Sequence, residues 1–263
     1  MSESINGMRP TAPETRIENK EKKQYDKDFF DLQIQFAKKL SEVSGIPFPE
    51  LLLSHTGLYH FFKLGKVVDG NNPVWREFIS QGDQNMAERA YDLYLQVQRA
   101  RESSPESKKP RRMHFGCFQY DYNEQEKTID IHFGNTEKTG SPSDDIGKRK
   151  QELKDMFEYI KEHHPEAKYV RGDSWLNHLD KAKEIFPSEY TAHLEPSPTQ
   201  YLALSTWGQF LDRNHETRPE AFKFFKQRLQ AAQTWDEVLK CIPLMSLQAS
   251  TNIENLYRDM GIK

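Results

Sequence analysis

Residues 113–135 read MHFGCFQYDYNEQEKTIDIHFGN. Two runs rich in aromatic and β-branched residues, 113–122 and 128–135, flank the polar Asn123-Glu124-Gln125-Glu126-Lys127. This pattern predicts a β-hairpin with a longer loop. Phe118, Tyr120, Ile129, Ile131 and Phe133 alternate along it and so take the core face. Opposed residue numbers then sum to an odd value, and a sum of 249 sets Cys117 opposite His132 and Gln119 opposite Asp130 on the second face. A cysteine beside a histidine can serve as a thiolate nucleophile, because an imidazolium lowers the thiol pKa. The plainer reading is a small half-buried hydrophobe next to a polar strand residue.

Before the hairpin the periodicity is helical. Phe29, Leu32, Phe36, Leu40 and Val43 form one amphipathic stripe, which Gly45 ends. Leu51, His55, Leu58 and Phe62 predict a second helix running to about Lys63. A short helical piece is expected from Val74 to Ile79, and a long helix through Met86, Ala90, Leu93, Val97 and Ala100. Residues 1–24 are polar with mixed charge and read as a disordered tail. Residues 25–103 therefore form a helical N-terminal unit, and 104–112, with two prolines flanking a basic run, a linker.

After the hairpin, Ser143 is the expected cap of a helix whose inward face is Ile146, Leu153, Met156, Phe157 and Ile160. Residues 167–170 predict a short strand, Asp173 an N-cap, and residues 199–204 another strand. The last sixty or so residues read as helical. Three capping boxes stand there: Thr217 with Glu220, Thr234 with Glu237, and Thr251 with Glu254. The fold class is α+β: a helical N-terminal unit, then an α/β unit over 113–263 with a small mixed sheet and a helical C-terminus.

Composition narrows the function classes. The chain has 263 residues, a formal net charge of −3 and a pI near 6.3, so it has no general attraction to nucleic acid or anionic membrane. Lys108, Lys109, Arg111 and Arg112 lack interleaved aromatics and read as a solvated loop. Apolar runs fall far short of the ~20 residues of a spanning helix. Two cysteines, Cys117 and Cys241, make no disulfide framework, and a cytoplasmic setting is expected. The histidines show no metal-ligand spacing, and no Walker, GxSxG or GxGxxG pattern occurs. Arg171-Gly172-Asp173 spells an integrin tripeptide, which a strand-to-helix junction explains better in a cytosolic chain.

Two segments combine a tryptophan with a cluster of polar side chains: Asp173-Ser174-Trp175-Leu176-Asn177-His178 and Trp207-Gly208-Gln209-Phe210-Leu211-Asp212-Arg213. Strand ends in mixed sheets are where clefts open. Trp175 and Trp207 are candidate walls of such a cleft, with Asp173, Asn177, Gln209 and Arg213 as its polar, ligand-binding groups and Arg213 suited to a carboxylate or phosphate. Ordinary core tryptophans beside helix caps are the competing reading.

Arg171-Gly172-Asp173-Ser174-Trp175-Leu176, Phe186-Pro187 and Trp207-Gly208-Gln209-Phe210 resemble the signature of a group of uncharacterised bacterial proteins. More remotely, residues 113–210 are similar to the C-terminal half of GNAT-like acyltransferases that follow a helical N-terminal domain, in the order strand pair, helix, strand. That resemblance implies acyl-CoA as cofactor, bound where strand meets helix, and direct acyl transfer with His132 or Asp173 as catalytic base. The chain departs from it at the pyrophosphate loop. Ser143-Asp144-Asp145-Ile146-Gly147-Lys148-Arg149 has one glycine and two acidic residues where backbone N–H groups should cradle phosphate. The alternative is a non-enzymatic binding or scaffold protein that engages a protein partner through its N-terminal helical unit.

Overall fold

The computed structural model describes residues 24–104, 113–137 and 139–263. Of the expected tail 1–24 and linker 104–112, residues 1–23 and 105–112 lie outside them. Among the described residues, twelve α-helices and one mixed five-stranded sheet give the α+β class expected.

Helix α1 (Lys27–Ser44) starts at Asp26, whose carboxylate accepts from the Phe29 N–H at 2.9 Å, and stops at Gly45 in the left-handed conformation. The second expected helix is two: α2 (Phe48–Ser54) and α3 (Leu58–Phe61). Between them the Thr56 hydroxyl turns back to the Leu52 carbonyl, and the buried Gln33 side chain of α1 accepts from the Gly57 N–H at 2.8 Å. Those bonds fix a corner that hydrophobic spacing does not encode. Helices α4 (Pro73–Ser80) and α5 (Met86–Ser103) fall where expected.

The core of this unit does not close at residue 103. Phe36 of α1 packs against the rings of Tyr201, Trp207 and Phe225, and Val238 and Ile242 join the same apolar cluster. These come from α9 (Leu204–Trp207), α10 (Pro219–Ala231), α11 (Trp235–Leu239) and their joints. The expected boundary at 113 therefore separates sequence, but not cores. Asp26 takes part in the joint, because its carboxylate accepts from both the backbone N–H and the hydroxyl of Thr217. Thr217 is thus spent on α1 and does not cap α10, which starts at Pro219 after an uncapped Arg218. The Thr234–Glu237 box forms with both arms, whereas Asn252, not Thr251, caps α12 (Ile253–Met260).

The second core lies under the sheet. Strands β1 (Phe118–Asn123) and β2 (Thr128–Phe133) make the expected hairpin, but Phe118 faces Phe133 and Gln119 faces His132, two residues from the expected register. The polar and apolar faces survive a two-residue shift; the pairing partners do not. Helix α6 (Ile146–His163) then crosses over to β3 (Tyr169–Ser174), which runs parallel to β2. Short helices α7 (Asp180–Lys183) and α8 (Ser188–Thr191) precede β4 (Leu194–Pro196). The sheet order is β1-β2-β3-β5-β4, with β5 (Leu247–Asn252) inserted antiparallel between β3 and β4. Residues 199–204 form a turn leading into α9, not the strand expected. The unforeseen β5, LQASTN, is poor in β-formers; being paired on both sides sets its conformation. Leu153, Met156, Phe157 and Ile160 of α6, with Ile253, Leu256 and Tyr257 of α12, cover one sheet face.

Candidate functional site

The face that α6 and α12 leave uncovered is polar, as strand alternation requires. It carries Gln119 and Asp121 on β1, Asp130 and His132 on β2, Arg171 and Asp173 on β3, and Gln248 on β5. His132 and Asp121 lie 2.9 Å apart as a half-exposed pair. Arg171 grips Asp130 with two N–H groups, at 2.8 and 3.2 Å, and Glu126 stands 3.3 Å away. The bond to Asp130 pushes the Arg171 pKa further up. The Gln248 amide donates to both oxygens of Asp173 at 3.3 and 3.4 Å. The two expected catalytic residues, His132 and Asp173, therefore project from the same face of neighbouring strands. Asp173 sits within β3 and caps nothing; Ser174 caps the turn Trp175–His178.

The pairing of β2 with β3 is interrupted. It runs from Thr128–Tyr169 to Asp130–Arg171 and stops, although β2 continues to Phe133 and β3 to Ser174. Beyond that point β1 still holds β2 and β5 still holds β3. Residues 131–133 of β2 and 172–174 of β3 are therefore not register partners, and the two strands part there in mid-sheet. Such a parting of neighbouring strands is a place where an extended segment can lie. It lies at the carboxyl ends of two parallel strands, where ligands of open sheets bind.

Sequence reasoning missed the residue set against this gap. Tyr190 of α8 is buried, and a side chain at Gly172 would overlap its hydroxyl oxygen. Burial, with the charges of Asp173 and Asp130, pushes the phenol pKa well above its ordinary value. Tyr190 packs in the core under the sheet beside Ile185 and Phe186. A glycine inside a strand that ends on polar residues marks a close approach, and Gly172 was the signal available in the sequence.

At the mouth of the gap, β2 leads through residues 134–145 into α6. Asp145, not Ser143, caps that helix, accepting from the Lys148 N–H at 2.9 Å. Ser141 and Asp144 form a capping box around the turn Pro142–Asp144. Lys148 and Arg149 both reach Glu137, at 2.8 and 2.6 Å. Arg149 is fully buried, lies 3.0 Å from Glu152, and places its Nη1 2.6 Å from the Cys117 sulfur. Cys117 thus faces arginine, and the histidine pairing drawn from the expected register does not occur.

The expected cleft residues disperse. Trp207 is a core residue: wholly buried, its indole N–H donates to the Tyr201 carbonyl at 2.7 Å and its ring meets Phe36 edge-on. Gln209 is a brace, its amide bonded to the Thr206 and Leu244 carbonyls and to the Leu244 N–H. Asn177 braces likewise, donating to the Leu247 carbonyl at 2.8 Å. Trp175 is half-buried and shares with Gln209 a shallow groove of about 350 Å³, whose arginines are Arg218 and Arg228. Arg213 lies elsewhere, donating to the Gly140 carbonyl at 3.4 Å at the mouth of the sheet gap. The structure thus joins Trp175 to Gln209 and His132 to Asp173, and places Trp207 and Arg213 in neither group.

Among the described residues no cluster of three or more His, Cys, Asp and Glu is arranged to hold a metal ion, and no helix is long and apolar enough to cross a membrane. The chain matches no family model, no curated protein and no solved structure. Its own geometry carries the functional reading.

Proposed function

We propose that the chain transfers an acyl group from a thioester to an amine, with the donor's amide-bearing arm lying in the gap between β2 and β3. The interrupted ladder carries this reading: β2 and β3 part after Asp130–Arg171, at the carboxyl ends of two parallel strands, where an extended arm can lie. The order strand pair, helix, strand agrees with the resemblance to GNAT-like acyltransferases.

The chemistry asked of the side chains is modest. The amine nitrogen attacks the thioester carbonyl, the carbon–sulfur bond breaks, and the leaving sulfur takes a proton. Asp173 or His132 accepts the amine proton and hands it on to the leaving sulfur. The Asp130–Arg171 and Asp121–His132 pairs hold the sheet face in place around them. Buried thiols at Cys117 and Cys241, neither in a disulfide, suit a cytoplasmic setting.

The test is thiol release from acetyl and longer acyl thioesters in the presence of primary amines, with binding followed by isothermal titration. Asp173→Asn should retain the fold and lower turnover by roughly tenfold or more. No binding at millimolar donor, or turnover indifferent to Asp173 and His132 substitutions, overturns the reading.

A further inference from the structure

We propose that the groove beside α10 docks an extended peptide segment of a partner protein, one that carries an apolar side chain midway between two carboxylates. None of the groove's residues lies in a strand, so this docking is independent of the acyl-transfer reading.

The apolar part of the groove comes from aromatic rings. Buried Phe225 and Cys241 line it together with half-buried Trp175 and with Phe224, which is 59 % exposed. Aromatic residues and arginine are the types enriched where proteins meet. At about 350 Å³ the groove is at the low end for ligand pockets, which suits one anchoring side chain better than a whole cofactor.

The polar part is cationic and uncompensated. Arg218 and Arg228 line the groove, and among the described residues no Asp or Glu does. Each guanidinium donates through Nη2 to a backbone carbonyl outside α10, Arg218 to Gln209 and Arg228 to Lys240. Those bonds anchor each fork and leave most of its N–H groups for another acceptor. Neither arginine meets a carboxylate among the described residues, whereas Arg149 holds Glu137 and Glu152, and Arg171 holds Asp130 and Glu126. Glu237, one turn before Cys241, spends its carboxylate on the N–H groups of Gln233 and Thr234. In a chain of net charge −3, two arginines left without acidic partners beside exposed aromatic surface complement an acidic, apolar partner.

Spacing sets the pattern of that partner. Ten residues along α10 place Arg218 and Arg228 about 15 Å apart. An extended peptide rises about 3.3 Å per residue and turns every second side chain to the same face. Its positions i and i+4 are then about 13 Å apart, with i+2 between them on that face. Carboxylates at i and i+4 match the two guanidinium groups, and an apolar i+2 side chain falls between them, at Phe224 and Phe225.

The experiment titrates the full chain with a blocked, fluorescein-labelled peptide containing Glu-Ser-Phe-Ser-Glu. Anisotropy gives the affinity, and the tryptophan indole N–H resonances locate the site, with Trp175 assigned through Trp175→Phe. The expected result is saturable binding that shifts the Trp175 resonance and leaves that of buried Trp207 in place. Peptides with Gln-Ser-Phe-Ser-Gln or Glu-Ser-Ser-Ser-Glu should each bind about tenfold more weakly, and the rearranged Glu-Glu-Phe-Ser-Ser about fivefold. Arg218→Gln and Arg228→Gln should each weaken the first peptide about fivefold. Phe224→Ser, at an exposed position, should do the same with an unchanged thermal transition, which keeps the test sound if an arginine variant loosens the wall. Equal affinity for the rearranged peptide, or for all three variants, would reduce the effect to diffuse charge attraction and overturn the inference. Complete displacement of the peptide by equimolar phenylpropionate would assign the groove to small aromatic acids and overturn the peptide as its occupant. Absence of binding at millimolar peptide overturns it as well.

Discussion

The hydroxyl of Tyr190 occupies the space that a side chain at residue 172 would need, so Gly172 and Tyr190 are one structural feature. The glycine's φ is ordinary; closeness alone demands it. The consequence is a phenol brought up to the backbone of β3 where that strand parts from β2.

Gly172→Ala should therefore destabilise the protein by about 1–3 kcal/mol through overpacking. Tyr190→Phe removes the overlapping oxygen, so the double variant should recover part of the loss, with a coupling of about 1 kcal/mol. Urea denaturation of the four proteins in the cycle measures it. Strict additivity would mean that the two residues do not meet.

Trp207 and Trp175 should separate cleanly in stability. Trp207→Ala opens the shared helical core beside Phe36 and should cost about 3–5 kcal/mol. Trp175, half-buried at a groove, should cost clearly less. Equal losses in guanidinium titrations would place Trp175 in the core too.

Asp26 serves α1 as its cap and Thr217 as acceptor of two hydrogen bonds. Asp26→Ala should cost about 2 kcal/mol or more, beyond an ordinary cap. A fragment carrying only residues 25–103 should fail to give a cooperative thermal transition, because Trp207, Phe225 and Val238 complete its core. A sharp transition from that fragment would restore a self-contained N-terminal unit.

Alkali should weaken the fold. Burial pushes Tyr120 and Tyr257 each up to about 12, from an unfolded value of 10. Between those values the unfolded chain has released protons that the native state still holds, so stability is full below pH 10 and falls as pH rises toward 12. Melting temperature followed from pH 8 to 11 should drop, and Tyr120→Phe should flatten part of the slope. A slope unchanged by that variant would remove Tyr120 from the account.

Local signals in the sequence were read well where one element satisfies itself. Gly45 ends α1, the Thr234–Glu237 box starts α11, and alternation assigned the faces of β1 and β2. Helix caps and strand alternation depend on neighbours a few residues away, so a single chain displays them. By the same logic His132 and Asp173 could be picked out as polar side chains.

What tertiary structure decided is everything that needs a distant partner. Leu247–Asn252 is a strand because β3 and β4 flank it, and Thr217 abandons its helix because Asp26 lies beside it. The register of β1 on β2 settled two residues away because alternation repeats every second residue and cannot count repeats. The break between β2 and β3, and the Tyr190 hydroxyl beside it, leave only a glycine in the sequence, because close approach is a property of space rather than of spacing.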